Sequence, residues 1–383
     1  MYILLIISEI HRLKEATKLQ TIFGQIPDFR RQHKKLHDLE SILLIGIISV
    51  LCGAETWNQM QEYAEAKEEF LLTFLDLPNG IPSHDTFNRV FSNLDSDLFE
   101  SCFMEWVSSL SQLKPREVIA IDGKTIRGAK SSGGKSPVHM VSAWACENNL
   151  VLGQVKVSEK SNEITAIPEL LKALSIKGTI VTADAMGCHK TIADLIIENQ
   201  ADYILAVKGN QAILQEDIIA EFQVAKPTQK YTQTDIGHGR IETRSCTCLT
   251  NLDFIRDLDN WRNLTTIIKI DSIREFKNSD KPTEYSSRYY ISSLAATPKD
   301  FGNAIRSHWA IENSLHWTLD VAFGEDASRK RHKNASQNFS ILNKIALNLL
   351  KNEKTNKSGV KGKRLKAGWD NHYLIKTLNL MQS

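Results

Sequence analysis

The sequence predicts an α/β fold: a mixed five-stranded sheet flanked by helices, with a helical unit before it and a β-rich insertion after its fifth strand. Three observations carry this reading. Apolar runs at 118–121, 140–144 and 150–157 are strand-length, and Glu147-Asn148-Asn149 supplies a turn between the last two. Helical and strand patterns then alternate as far as residue 207. Residues 1–112 instead carry helical spacing, and 225–296 alternate between apolar and polar side chains.

Length and composition fit this layout. A chain of 383 residues is too long for one ordinary core. With 42% apolar and 24% charged residues it has the make-up of a soluble globular protein. A formal charge of +2 means that any nucleic-acid affinity must come from local basic patches. Six cysteines without a C-x-x-C pair point to reduced thiols and a cytoplasmic setting. The apolar runs at 1–7 and 42–51 are too short to span a membrane, so no membrane partner is expected.

In chain order, Leu39 to Cys52 reads as an apolar helix stopped by Gly53, and Thr56 to Leu75 as a second, charged helix. Ser83 caps a third, with Phe87, Val90 and Phe91 at core spacing. Val118 to Ile121 leads straight into Asp122-Gly123-Lys124. Ile164 to Leu174 is a helix, 178–183 a buried strand ending at Asp184, Thr191 to Asn199 a helix, and Tyr203 to Val207 the fifth strand. Arg240 to Leu249, Thr265 to Ile270 and Ser287 to Ile291 are strands of the insertion. His308 to Asp320 is a helix seated by Ile311, Leu315, Leu319 and Phe323, followed by a buried helix from Phe339 to Leu350. Seven Lys/Arg between Lys351 and Lys366, among Gly and Ser, read as a flexible basic segment within a C-terminal stretch of 351–383. A short helix closes the chain from Trp369.

The chemistry lies at strand ends. Asp122 and Asp184 each follow an apolar strand, and on adjacent strands their carboxylates converge at one sheet edge. Each alone is an ordinary turn starter. Together with Glu312 they make three carboxylates that repel unless a cation neutralises them. Oxygen ligands favour Mg²⁺ (or Mn²⁺), and two ions about 4 Å apart form a clamp for phosphoryl transfer. A competing reading places zinc on the helical face of His308, Glu312 and His316, although that spacing is not H-E-x-x-H. With Mg²⁺ the histidines are expected beside Glu312 rather than on the ion. Candidate contacts to DNA are Lys124, Arg127, Lys208, Asn210, Arg240, Arg244, Arg306, Arg329 and Arg331.

Several stretches together resemble one family. They are Pro82-Ser83-His84-Asp85-Thr86-Phe87, Ala120-Ile121-Asp122-Gly123-Lys124, Ala183-Asp184-Ala185-Met186-Gly187, Ala206-Val207-Lys208-Gly209-Asn210-Gln211, Gly237-His238-Gly239-Arg240 and the His308–Asp320 helix. In this order they resemble the H-repeat-associated family of bacterial insertion-sequence transposases. The resemblance implies an RNase H-like fold in 113–350, a DDE triad at Asp122, Asp184 and Glu312 holding divalent metal, and an associated N-terminal domain in 1–112. It also implies DNA as partner, homo-oligomers on DNA, and a cytoplasmic, nucleoid-associated protein. A DNA-binding remnant without catalysis is the alternative. Related transposases carry Tyr, Arg and Lys where this chain has Ile305, His308 and Leu319, so those contacts are not carried over; Arg306 is the nearest substitute.

Overall fold

The computed structural model describes residues 18–110, 112–130, 137–158, 162–237, 239–277 and 280–379. The apolar run at 1–7 and His238 of the 237–240 turn lie outside them.

Short helix α1 (Lys18–Phe23) precedes α2 (Leu39–Leu51), whose N-terminus is capped by Asp38 accepting from Ser41 N at 2.7 Å. Gly53 follows with φ +116, as the helix stop requires. The expected helix from Thr56 to Leu75 is interrupted. It starts at a Thr56/Gln59 capping box as α3 (Trp57–Ala66), bends at Lys67, and resumes as α4 (Glu68–Leu71). Lys67 instead reaches Asn371 near the C-terminus at 2.8 Å, so a tertiary contact accompanies the break. Helices α5 (His84–Asn93, capped by Ser83) and α6 (Ser96–Leu110) complete the N-terminal set.

Strands β1 (Val118–Lys130), β2 (Pro137–Ala145) and β3 (Leu150–Lys156) form the expected meander. Helix α7 (Glu163–Ala173), β4 (Ile180–Ala183), α8 (Lys190–Glu198), β5 (Asp202–Val207) and α9 (Ala212–Val224) follow. β4 pairs parallel with both β1 and β5.

The sheet does not stop at five strands. Insertion strands β6 (Lys230–Gly237), β7 (Arg240–Leu249), β8 (Thr266–Phe276) and β9 (Glu284–Ser292) extend it to nine, in the order β3-β2-β1-β4-β5-β9-β8-β7-β6. The backbone groups of β5 would otherwise face outward unpaired, and β9 covers them through the register Ile204↔Ser292 to Val207↔Tyr289.

Helix α10 (Pro298–His308) then leads into a π-helical turn (Ile311–His316) and α11 (Trp317–Phe323), which ends at Gly324 with φ +60. Ile311, Leu315, Leu319 and Phe323 are buried, as their spacing predicts. Helix α12 (Ala335–Asn352) is buried along nearly its whole length and packs on α2, α5, α6 and β3. Its Asn348 both donates to Val151 O and accepts from Val151 N at 2.9 Å, serving the free side of edge strand β3.

The basic segment read as flexible is not. It contains α13 (Val360–Trp369), followed by α14 (Asn371–Asn379). Arg364 is 3% exposed; it donates to Val50 O at 2.7 Å and to Ala322 O, while Lys363 donates to Leu350 O at 2.9 Å. Carbonyls at helix C-termini lack intrahelical partners, and these cations supply them. Among the described residues no helix is long and apolar enough to cross a membrane.

Candidate active site

The site forms where two parallel strands part company. Asp122 lies inside β1 rather than at its end, because β2 keeps pairing with β1 to Ile126 and, past an irregularity, again at Lys130. β4 stops at Ala183, whose partner is Ile121, so Asp122 and Asp184 are the next residues on neighbouring strands. Asp184 also plays the turn role: its carboxylate accepts from Met186 N at 2.9 Å.

Side chains two apart on a strand share a face, so Asp122 and Lys124 point the same way. The segment from Ile311 to Phe323 lies over them. His316 Nδ1 stands 3.5 Å from Asp122 Oδ2 and 3.6 Å from Glu312 Oε2. Asp320, four residues further, takes Lys124 Nζ at 2.7 Å. Asp122, Asp184 and Glu312 line a cleft of about 270 Å³ with Lys208, His308 and Trp309.

Burial, then Glu312 and Asp184, hold the Asp122 carboxyl well above the ordinary carboxylate range. Burial and Glu163 raise Asp184, while His316 holds Glu312 low. His308 is placed apart from this cluster. Its Nδ1 meets Thr182 Oγ1 at 3.0 Å, and burial pushes it down to about 4. The face of His308, Glu312 and His316 therefore does not close as a three-ligand zinc site; the cluster that does form takes Asp122 in place of His308.

Lys124 and Asn210, both in the candidate DNA set, are engaged by groups of the protein itself. Lys124 is held by Asp320 and, at 3.2 Å, by Asp326. Asn210 donates to Ala185 O at 2.6 Å and so steadies the turn after Asp184. Lys124→Ala is expected to lower the melting temperature through about 2 kcal/mol of lost pairing, leaving the salt dependence of DNA binding unchanged. A flattened salt dependence with no thermal cost would restore Lys124 to the DNA set.

The remaining basic candidates fall in three places. Arg240, Arg244 and Arg306 line a cavity of about 660 Å³ beside the cleft, together with Arg274 and Arg288. Arg288, Tyr290, Ile305 and Trp309 border both spaces, and Arg288 stacks over Trp309 at 5.3 Å. Asp235 and Glu242 offset part of this charge through Arg244, at 2.5 and 2.6 Å. Arg127, Arg329 and Arg331 are exposed, and Arg331 donates to Gly128 O on β1 at 3.2 Å. Lys208 is exposed at the cleft.

Sequence reasoning missed Arg274 and Arg288, yet a signal existed. Residues 240, 242 and 244, 272 and 274, and 286 and 288 alternate along three paired strands and so project to one face. It also missed His139, whose Nε2 lies 2.7 Å from Glu163 Oε1 and whose Nδ1 lies 2.8 Å from Thr125 Oγ1. Gly123 makes this possible, since a Cβ there would overlap both His139 and Glu163.

Comparisons with known proteins show which family the chain belongs to. Residues 113–349 match the family described as "Transposase DDE domain", and residues 20–107 match "DDE_Tnp_1-associated". The chain belongs to the transposases of the DDE-domain family. Some of its near relatives are named H repeat-associated. It is 40% identical over 371 residues to the "H repeat-associated putative transposase YhhI" of Escherichia coli (strain K12), covering 95% of this chain and 98% of that one. It is 44% identical over 359 residues to the "Putative transposase YncI" of Escherichia coli O157:H7, covering 92% of each. A solved piggyBac transposase synaptic complex with hairpin DNA superposes on 97% of this chain and 80% of its own, at 11% identity and a TM-score of 0.47.

Proposed function

We propose that this transposase hydrolyses phosphodiesters at the ends of an insertion sequence and joins the freed 3′-hydroxyls to target DNA, with Asp122, Asp184 and Glu312 as a DDE triad. The observation that carries the reading is the register Ile121↔Ala183, which sets two carboxylates side by side beneath Glu312. We read strands β1–β5 as an RNase H-like unit within 113–350, with 225–296 as its insertion, 1–112 as the associated helical domain and 351–383 as a C-terminal brace.

The residues fit divalent metal. Asp122 is half-buried, and its burial, then Glu312 and Asp184, disfavour its ionised form, which a bound cation would restore. Asp122, Asp184 and Glu312 would hold one or two Mg²⁺ or Mn²⁺ ions, which supply activation of the attacking oxygen and neutralisation of the leaving 3′-oxygen. The protein's own part is placement. Met186 N orients Asp184, and the Lys124–Asp320 pair fixes the Glu312 segment against β1. Lys208 at the cleft and the arginines of the adjoining cavity would take the phosphates on either side of the scissile bond.

The deciding experiment incubates the protein with duplexes carrying the short inverted repeats that flank its gene, with Mg²⁺ or Mn²⁺. Nicking at the repeat boundary is expected. Binding without cleavage under either ion would return the remnant reading. For the phosphate contacts, Arg240→Ala should reduce the slope of log affinity against log salt by about 0.9. An unchanged slope would make Arg240 a partner of Glu242 only.

A further inference from the structure

His316 is 6% exposed, yet hydrogen bonding does not explain where its ring sits. Nδ1 is 3.5 Å from Asp122 Oδ2 and 3.6 Å from Glu312 Oε2, whereas a good N–H···O bond spans about 2.9 Å. Among the described residues, Nε2 is buried without a hydrogen-bond partner. A buried imidazole normally has at least one nitrogen committed to a close acceptor or donor. This one is suspended between two carboxylates, equidistant from both.

The spacing matches a shared ion. Ligand atoms at about 2.1 Å from one cation stand roughly 3 to 3.6 Å from each other. The ligand atoms of Asp122, Glu312 and His316 all lie within 4.8 Å of one another. Glu312 and His316 are brought round by the π-helical turn, a distortion that recurs at functional sites. His308, which lines the cleft, is already engaged by Thr182.

We propose that His316 is itself a metal ligand, its Nδ1 completing a site with Asp122 and Glu312, and that this site prefers Mn²⁺ to Mg²⁺. The inference rests on the reading that these carboxylates hold metal. Imidazole is a poor ligand for Mg²⁺, while first-row transition ions accept it together with carboxylate oxygens. The oxygen-only site expected from the sequence becomes a mixed one.

The test uses Mn²⁺ and the full-length protein without DNA. Mn²⁺ binding is followed by electron paramagnetic resonance, and pulsed measurements detect modulation from a directly bound imidazole ¹⁴N. Wild type should show that modulation. His316→Gln and His316→Ala should lose it and bind Mn²⁺ at least about tenfold more weakly, with a smaller change for Mg²⁺. His308→Gln should keep it. Mn²⁺ bound without ¹⁴N modulation, or modulation persisting in His316→Ala, would remove His316 from the ion. If Asp122→Asn abolishes Mn²⁺ binding in that case, the carboxylate reading stands and only the histidine proposal falls. Mn²⁺ affinity indifferent to Asp122→Asn would overturn both.

Discussion

Glu312→Gln is expected to lower metal-dependent cleavage of element ends by about a thousandfold or more while leaving DNA binding in place. Glutamine keeps the size and one oxygen of the side chain but removes the charge. Metal stabilisation of a phosphoryl-transfer transition state is worth several kcal/mol, and about 4 kcal/mol corresponds to that factor. Glu312 is 52% exposed at its side chain, so the change should cost little stability. Asp122→Asn should be as damaging to cleavage, although it should not harm the metal-free fold. Burial, then Glu312 and Asp184, disfavours the ionised form of Asp122, and asparagine carries no such cost. Metal-free Asp122→Asn should therefore melt at or above the wild-type temperature, and added Mn²⁺ should stabilise wild type alone. Cleavage at the wild-type rate by either variant would remove that residue from the triad.

Much of this site could be read without coordinates because its parts are locally encoded. The apolar runs before Asp122 and Asp184 mark strands, and Ile311, Leu315, Leu319 and Phe323 mark the buried side of the Glu312 segment. What sequence could not supply is partner choice. Lys124 has the same composition signal whether it meets a phosphate or Asp320, and only the alignment of α11 over β1 decides. Arg364 looked solvated because its partners, the ends of α2 and α11, lie 314 and 42 residues away. The sheet grew from five strands to nine for a similar reason: alternation identifies a strand but not the edge it pairs with. The π-helical turn was hidden too, since the apolar spacing around Glu312 fits an α-helix as well.

The largest stability effect is expected at Lys344, which the same apolar helix pattern concealed. It is 2% exposed, deep in α12, and its Nζ meets Ser340 Oγ at 2.8 Å. Ser340 Oγ in turn lies 3.1 Å from Glu325 Oε1 and from Gln154 Oε1, and Gln154 N donates to Glu100 at 3.0 Å. This buried chain joins α6 of the N-terminal set to the loop after Gly324, whose Asp326 holds Lys124. Burial lowers the Lys344 ammonium while Glu325 and Glu100 counter it; burial pushes Glu100 up to about 8. Lys344→Met fills the volume but strands the Glu325 carboxylate, a loss of about 3 to 5 kcal/mol, or roughly 10 °C in melting temperature. Adding Glu325→Leu should recover most of it, since both buried charges are then replaced by apolar groups rather than one being left alone. The pH dependence follows from Glu100. Its folded-state value is raised, so its contribution is complete below about 4.5 and is lost as pH rises through about 8. Melting temperature should fall across that window, and Glu100→Gln should flatten the fall. A Lys344→Met protein that melts with wild type would mean the buried charges are already neutral, and the network would then contribute through packing alone.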